Sequence, residues 1–226
     1  MRRILFLLIV GGGGVAVLIS LGLWQVRRLH WKEAILGEIE GKISAPAVAF
    51  EGIAHPDPVQ DLYRPVVVSG RTTGEEALVL SGRKGEGAGF EVISAFVTAG
   101  GRRILIDRGF VPEVARDAPR PPTALTVTGN LHWPADSDSY TPPPDPKTGL
   151  WFARDVDGIA AGLGTQPVMI VARTAEGDAQ GVVPVPVDTS NIPNDHLQYA
   201  ITWFSLALVW AGMTGFFLWR IRRRES

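Results

Sequence analysis

The sequence predicts an α+β membrane protein: two transmembrane helices flanking a mainly antiparallel β extracytoplasmic domain with a few helices. Three observations predict it. An apolar stretch lies near each end of the 226-residue chain, each holding the roughly 20 residues that a bilayer crossing needs. Between them the hydrophobic pattern changes to a period of two, the signature of half-buried strands. Arginines cluster directly after the second stretch, which by the positive-inside rule assigns that end to the cytoplasm and the middle of the chain to the outer side.

Met1-Arg2-Arg3 leads into the first transmembrane helix, residues 4–24. A cleaved signal peptide needs a small-x-small site after its apolar run, and the chain instead reads Ile19-Ser20-Leu21-Gly22-Leu23-Trp24-Gln25, so the expectation is an uncleaved anchor. The periplasmic β-rich domain, residues 25–195, opens as a continuation of that helix to about residue 43. Leu29, Ala34, Ile35 and Ile39 give it an apolar face, while Glu33, Glu38 and Glu40 interleave with Arg27, Arg28 and Lys32. Pro46 breaks it, and loop follows to Tyr63. The spacing then predicts strands at 65–71, 77–80, 90–97, 103–107, 125–131 and 168–172. Gly100-Gly101 offers the positive φ angles of a tight hairpin, and Asp107-Arg108-Gly109 reads as a turn at a strand end. One short helix is expected near 155–163, with Asp155 as its cap and Gly164 as its stop. The sheet should be closed or nearly closed. Proline clusters at 119–122, 142–146 and 184–193 are connectors, the last an arm leading to the second transmembrane helix, 197–219, and its basic tail, 220–226.

Composition narrows the function. Net charge is −1, so nothing suggests nucleic-acid binding. The absence of cysteine excludes disulfides, iron–sulfur clusters, thiolate zinc sites and thiol catalysis. The glycine-rich stretch 82–89 lacks a Gly-Lys-Ser/Thr and runs into a strand rather than a helix, so it reads as a hairpin loop and not a phosphate loop. Asp155 and Asp157 point apart on a helix, and His55 and His132 are isolated. No catalytic motif emerges, and the expectation is a protein that is not an enzyme.

The second span differs. At about 3.6 residues per turn, His196, Ala200, Trp203, Ala207, Trp210, Ala211 and Thr214 fall on one stripe. Ala207 and Ala211 would let another helix approach, with Gly11 to Gly14 of the first span as the place of approach. A histidine above aromatics would suit a flat macrocycle such as haem. The residues alone favour a plainer reading, an interfacial histidine with an aromatic belt.

Several motifs, in order, resemble the Surfeit locus protein 1 family. They are Gly22-Leu23-Trp24-Gln25 with Arg27, Arg28 and Lys32; Tyr63-Arg64-Pro65-Val66; Ile106-Asp107-Arg108-Gly109-Phe110-Val111-Pro112; Trp151-Phe152-Ala153-Arg154-Asp155; and Pro193-Asn194-Asp195-His196-Leu197-Gln198-Tyr199-Ala200-Ile201-Thr202-Trp203-Phe204. Phe110 stands where the family often has Trp. The resemblance implies an assembly factor for cytochrome c oxidase that binds haem a, transiently, and assists its insertion into the catalytic subunit. His196 would be the metal ligand, with Trp203 as a wall and with Arg27 and Arg28 beside the propionates or the lipid headgroups. The alternative it leaves open is a haem-independent scaffold for an oxidase assembly intermediate. The implied partners are the cytochrome c oxidase catalytic subunit, the haem a synthesis enzyme and membrane lipid. The implied location is the bacterial inner (plasma) membrane, multi-pass, with both termini cytoplasmic; no mitochondrial transit peptide is expected before the first span.

Overall fold

A computed structural model describes residues 2–83, 85–190 and 192–225. Met1, Lys84 of the glycine-rich loop, Asn191 of the proline arm and Ser226 of the basic tail lie outside the described residues. In chain order the elements are α1 (Arg2–Ile43), β1 (Val48–Ala49), β2 (Pro65–Arg83), β3 (Gly87–Thr98), β4 (Arg103–Pro112), β5 (Ala124–Leu131), β6 (Leu150–Trp151), α2 (Val156–Leu163), β7 (Met169–Gly177) and α3 (His196–Glu225). They form two units. One is helical, ending at Glu38 and resuming at Thr189; the other, Ile39–Asp188, carries the sheet.

In the helical unit, α1 and α3 are long and apolar enough to cross a membrane. Their mean hydropathy over the best window is 2.6 and 1.6, and only 6% of each window is buried. A soluble protein's core helix would hide such side chains, whereas Phe6 and Leu208 are exposed here. The two helices run antiparallel and meet through small residues. A Cβ at Gly11 would overlap the side chain of Thr214, one at Gly14 the indole of Trp210, and one at Gly22 the ring of Phe204. Ala200 and Ala207 are buried, while Ala211 is exposed. The expected approach therefore occurs at Gly11 and Gly14, with nothing near Gly12 or Gly13.

The sheet unit is a closed ring. β2 pairs β3, β3 pairs β4, β4 pairs β7, β7 pairs β5, and β5 returns to β2. All of these pairs are antiparallel except β4 with β7. The stretches expected at 65–71 and 77–80 form one 19-residue strand, β2, interrupted by a register shift between Thr72 and Glu76. β2 pairs β5 along residues 65–71 and β3 from Gly70 onward, on both sides of the shift. Alternate side chains line the interior: Val66 and Val68 from β2, Ile104 and Ile106 from β4, Val127 from β5, Ile170 from β7. The opposite faces of β4 and β7 bury Leu105, Met169 and Val171 under α2, which is why Ile104-Leu105-Ile106 is apolar without alternation. The helix α2 is capped as expected, Asp155 accepting from Gly158 N–H at 3.1 Å and Gly164 taking φ 62°.

Two expectations are corrected. The stretch up to Tyr63 is not all loop: β1 pairs parallel with β2, and Phe50, just after it, is fully buried inside the ring. Asp107-Arg108-Gly109 is not a turn at a strand end. Val92 pairs Gly109 and Ile93 pairs Asp107, so Arg108 is the extra residue of a bulge and β4 continues to Pro112.

Candidate functional site

The head of α3 is built by a short series of local choices. Pro193 ends the extended arm, and the Asp195 carbonyl accepts the Tyr199 N–H at 3.1 Å as the first bond of the helix. His196 is then its first residue, half-buried. Across from it stands Gln25 of α1, 8% exposed. The Gln25 Oε1 and the His196 Nδ1 are 2.8 Å apart. Lys32, about two turns further along α1, donates its Nζ to the Pro193 carbonyl. The chain entering α3 is thus tied to α1 at two points, one of them the imidazole itself. Asn194 Oδ1 is buried and has no hydrogen-bond partner among the described residues.

The other residues singled out from the sequence are placed as follows. Trp203 is half-buried on the His196 stripe. Arg27 and Arg28 are both exposed. At about 100° per residue, Arg28 falls beside Gln25 around α1 and Arg27 on the far side. The Arg28 guanidinium lies 3.9 Å from the centroid of the Trp31 ring. The apolar clefts of the helical unit, about 170 Å³ around Gly11 and Trp210 and about 350 Å³ around Leu8 and Trp219, lie toward the other end of the helices. Neither is lined by His196.

A second polar centre lies in the sheet unit. Arg154 faces three carboxylates: its Nε is 2.7 Å from Asp136 and 3.4 Å from Glu91, and its Nη1 is 3.7 Å from Asp107. Asp107 is 2% exposed, and its Oδ1 accepts the Gly109 N–H at 3.1 Å. Burial, reinforced by the Glu91 charge, pushes its carboxyl up to about 7, against the pull of Arg154 and of the Gly109 N–H. His132 stacks 5.3 Å from Tyr63, and its Nδ1 has no partner among the described residues. Burial, then the Arg154 charge, hold this imidazole down to about 4, with Asp136 opposing. The cluster can hold or release a proton, and Tyr63 beside it carries a left-handed backbone at φ 68°.

The SURF1 family matches residues 13–208 of the chain. Both the head of α3 and the Arg154 cluster fall inside that span. The chain belongs to the SURF1 family. It is 29% identical to Surfeit locus protein 1 of Rattus norvegicus over 84% of this chain and 69% of that protein. It is 30% identical to a SURF1-like protein of Monosiga brevicollis, covering 93% and 85% respectively. A SURF1-like protein of Rickettsia bellii is 25% identical over 84% of this chain and 82% of its own length. In this SURF1-family chain the sequence singles out His196 but not its hydrogen-bond neighbour Gln25. The signal was present: an uncharged polar residue at the edge of an apolar span needs a partner.

Proposed function

We propose that the chain is a two-span membrane factor for cytochrome c oxidase assembly that holds haem a at His196 while this cargo passes to the oxidase catalytic subunit. Membership of the SURF1 family supports the assembly role. The observation that carries the haem reading is the position of His196. It is a half-buried imidazole heading a run, 197–219, that has no charged side chain, and an ionisable group there is kept for a purpose that offsets its cost. The donor set fits the cargo. A neutral imidazole nitrogen is a suitable axial ligand for haem iron, and the orphaned Asn194 Oδ1 two residues earlier is ready to accept from a bound molecule. Arg28, on the Gln25 side of α1, is the better placed cation for a propionate; Trp203 supplies apolar surface along the same stripe. The enzyme that makes haem a is the implied donor, and lipid surrounds the exposed faces of both helices. Arg220, Arg222 and Arg223 keep the far end of α3 in the cytoplasm, which puts His196 at the outer interface of a bacterial plasma membrane.

The test is the visible spectrum of the full chain purified after co-expression with the haem a synthesis enzymes. Wild type should carry a Soret band. His196→Ala should lose it while reaching the membrane at the wild-type level. Retention of the band at full strength in the variant would overturn the haem reading and leave the scaffold role in its place.

A further inference from the structure

We infer that Gln25 is a positioning residue for His196, accepting the Nδ1 proton through its amide oxygen so that Nε2 is the nitrogen left bare for iron. A neutral imidazole carries one proton and can put it on either ring nitrogen. Free side chains favour Nε2–H, the tautomer that blocks the nitrogen best able to reach a ligand. A hydrogen bond to the other nitrogen decides between them, and this is how histidine ligands of metals are generally oriented. Here the 2.8 Å contact is between His196 Nδ1 and Gln25 Oε1, an atom that accepts and does not donate. The proton therefore sits on Nδ1.

The surroundings reinforce the choice. Gln25 is 8% exposed at the edge of the apolar run of α1, where an unpaired amide is costly. One turn earlier, Gly22 has no side chain to keep Phe204 away, so α3 comes close enough for the bond to form. On the α3 side Ala200, one turn below His196, is 2% exposed and equally small. Lys32 fixes the entry to α3 from the same helix, through the Pro193 carbonyl. The ring is held by a neutral partner. A carboxylate in that place would also accept the Nδ1–H but would add a charge inside the apolar layer; an amide orients the ring without that charge.

The tautomer stands on geometry alone, and its consequence for iron rests on the haem reading above. The two are tested separately. The full chain is labelled with ¹⁵N-histidine and studied in detergent without haem at about pH 8.5, well above the ordinary imidazole pKa of about 6.5. Four histidines are present, and the His196→Ala spectrum identifies the signals that belong to His196. Wild type should show the pyrrole-type shift at Nδ1 and the pyridine-type shift at Nε2. Gln25→Leu should move the proton to Nε2, and Gln25→Glu, which keeps an acceptor oxygen, should leave it on Nδ1. In co-expressed holoprotein, haem transfer to excess apomyoglobin should run about 10–100-fold faster from the Leu variant, the usual cost of losing such a partner, and near the wild-type rate from the Glu variant. A proton on Nε2 in wild type overturns the inference at once, and needs no variant to fold. So does a Leu variant that keeps both the Nδ1 proton and the wild-type transfer rate. If His196→Ala itself retains haem, the haem reading fails while the tautomer result stands or falls by its own spectrum.

Discussion

Asp107 and His132 titrate in opposite senses around the same guanidinium. Asp107 has its carboxyl raised, so the stability it contributes is fully present below its ordinary value of 3.8 and is lost as the pH rises through about 7. His132 has its imidazole lowered, so it contributes stability above its ordinary value of 6.5 and loses it as the pH falls through about 4. Between about pH 4 and 6.5 the two slopes oppose each other, and the wild-type profile is flattened. Asp107→Asn removes one of them. The amide keeps an oxygen for the Gly109 N–H but cannot ionise, so the variant should gain on wild type as the pH rises from 4 to 8, by a few kcal/mol at ~1.4 kcal/mol per pKa unit. Thermal unfolding of the full chain in detergent, compared at each pH, measures this; a difference that stays constant across the range would refute the assignment. None of this was legible in the sequence. Asp107 and Arg154 were visible only as parts of two separate motifs, and their encounter depends on how the strand bearing Asp107 lies against the segment before α2. His196 was legible because an apolar run makes its one imidazole conspicuous. Its bond to Gln25, 171 residues away, needed the azimuth of both helices.

Among the strands, two glycines show how position within an element sets the cost of a side chain. Gly101, in the turn between β3 and β4, has φ 81° and open space around it; Gly109, in the β4 bulge, has φ 114° and is covered. A Cβ at Gly109 would overlap the Val183 carbonyl, which accepts the Phe110 N–H at 2.8 Å and so pins this segment to β4. Gly101→Ala should cost only the backbone strain, about 1–2 kcal/mol. Gly109→Ala adds a clash with backbone that cannot rotate away, and should exceed ~3 kcal/mol and lower the protein's level. Equal losses in thermal stability for the two variants would mean that the Val183 segment yields. The sequence marked both glycines, since each follows an expected strand, but not which was covered, because the 182–187 segment carries no periodicity. The same limit hid β1, β6 and the barrel-filling Phe50: two-residue strands are set by their partners and not by a pattern of their own. Long runs read well. Five of the six expected stretches lie within a strand of their own or a shared one, and the sixth, 168–172, starts one residue before β7.

At the scale of the whole molecule, apolar surface and charge pose one question of placement. Side chains along α1 and α3 remain exposed within the chain, and water is a poor solvent for them. Lipid is the environment that removes the cost, provided the polar ends of the helices match its two faces. One end of α3 is suited to the cytoplasmic face: the Arg223 guanidinium lies 4.4 Å from the centroid of Trp219, an aromatic and a cation stacked as interfacial anchors. At its other end the helix begins with His196 and is preceded by Pro193 and Asp195, and the cations at that level, Arg27, Arg28 and Lys32, belong to α1. In the proposed orientation these arginines stay on the cytoplasmic side, and the residues between the two helices lie on the outer side. Tyr140 is 90% exposed in an irregular stretch between β5 and β6, so an insertion there leaves the closed ring intact. A reporter enzyme that folds only outside the cytoplasm should be active when inserted at Tyr140 and inactive when fused after residue 226. An N-terminal tag should stay on the mature chain, since α1 is expected to remain as an anchor. Activity at the C-terminal fusion would reverse the orientation and move His196 to the cytoplasmic interface; loss of the tag would reduce the spans to one and leave Gln25 cut to within a few residues of a new terminus, unable to hold the imidazole from a packed helix.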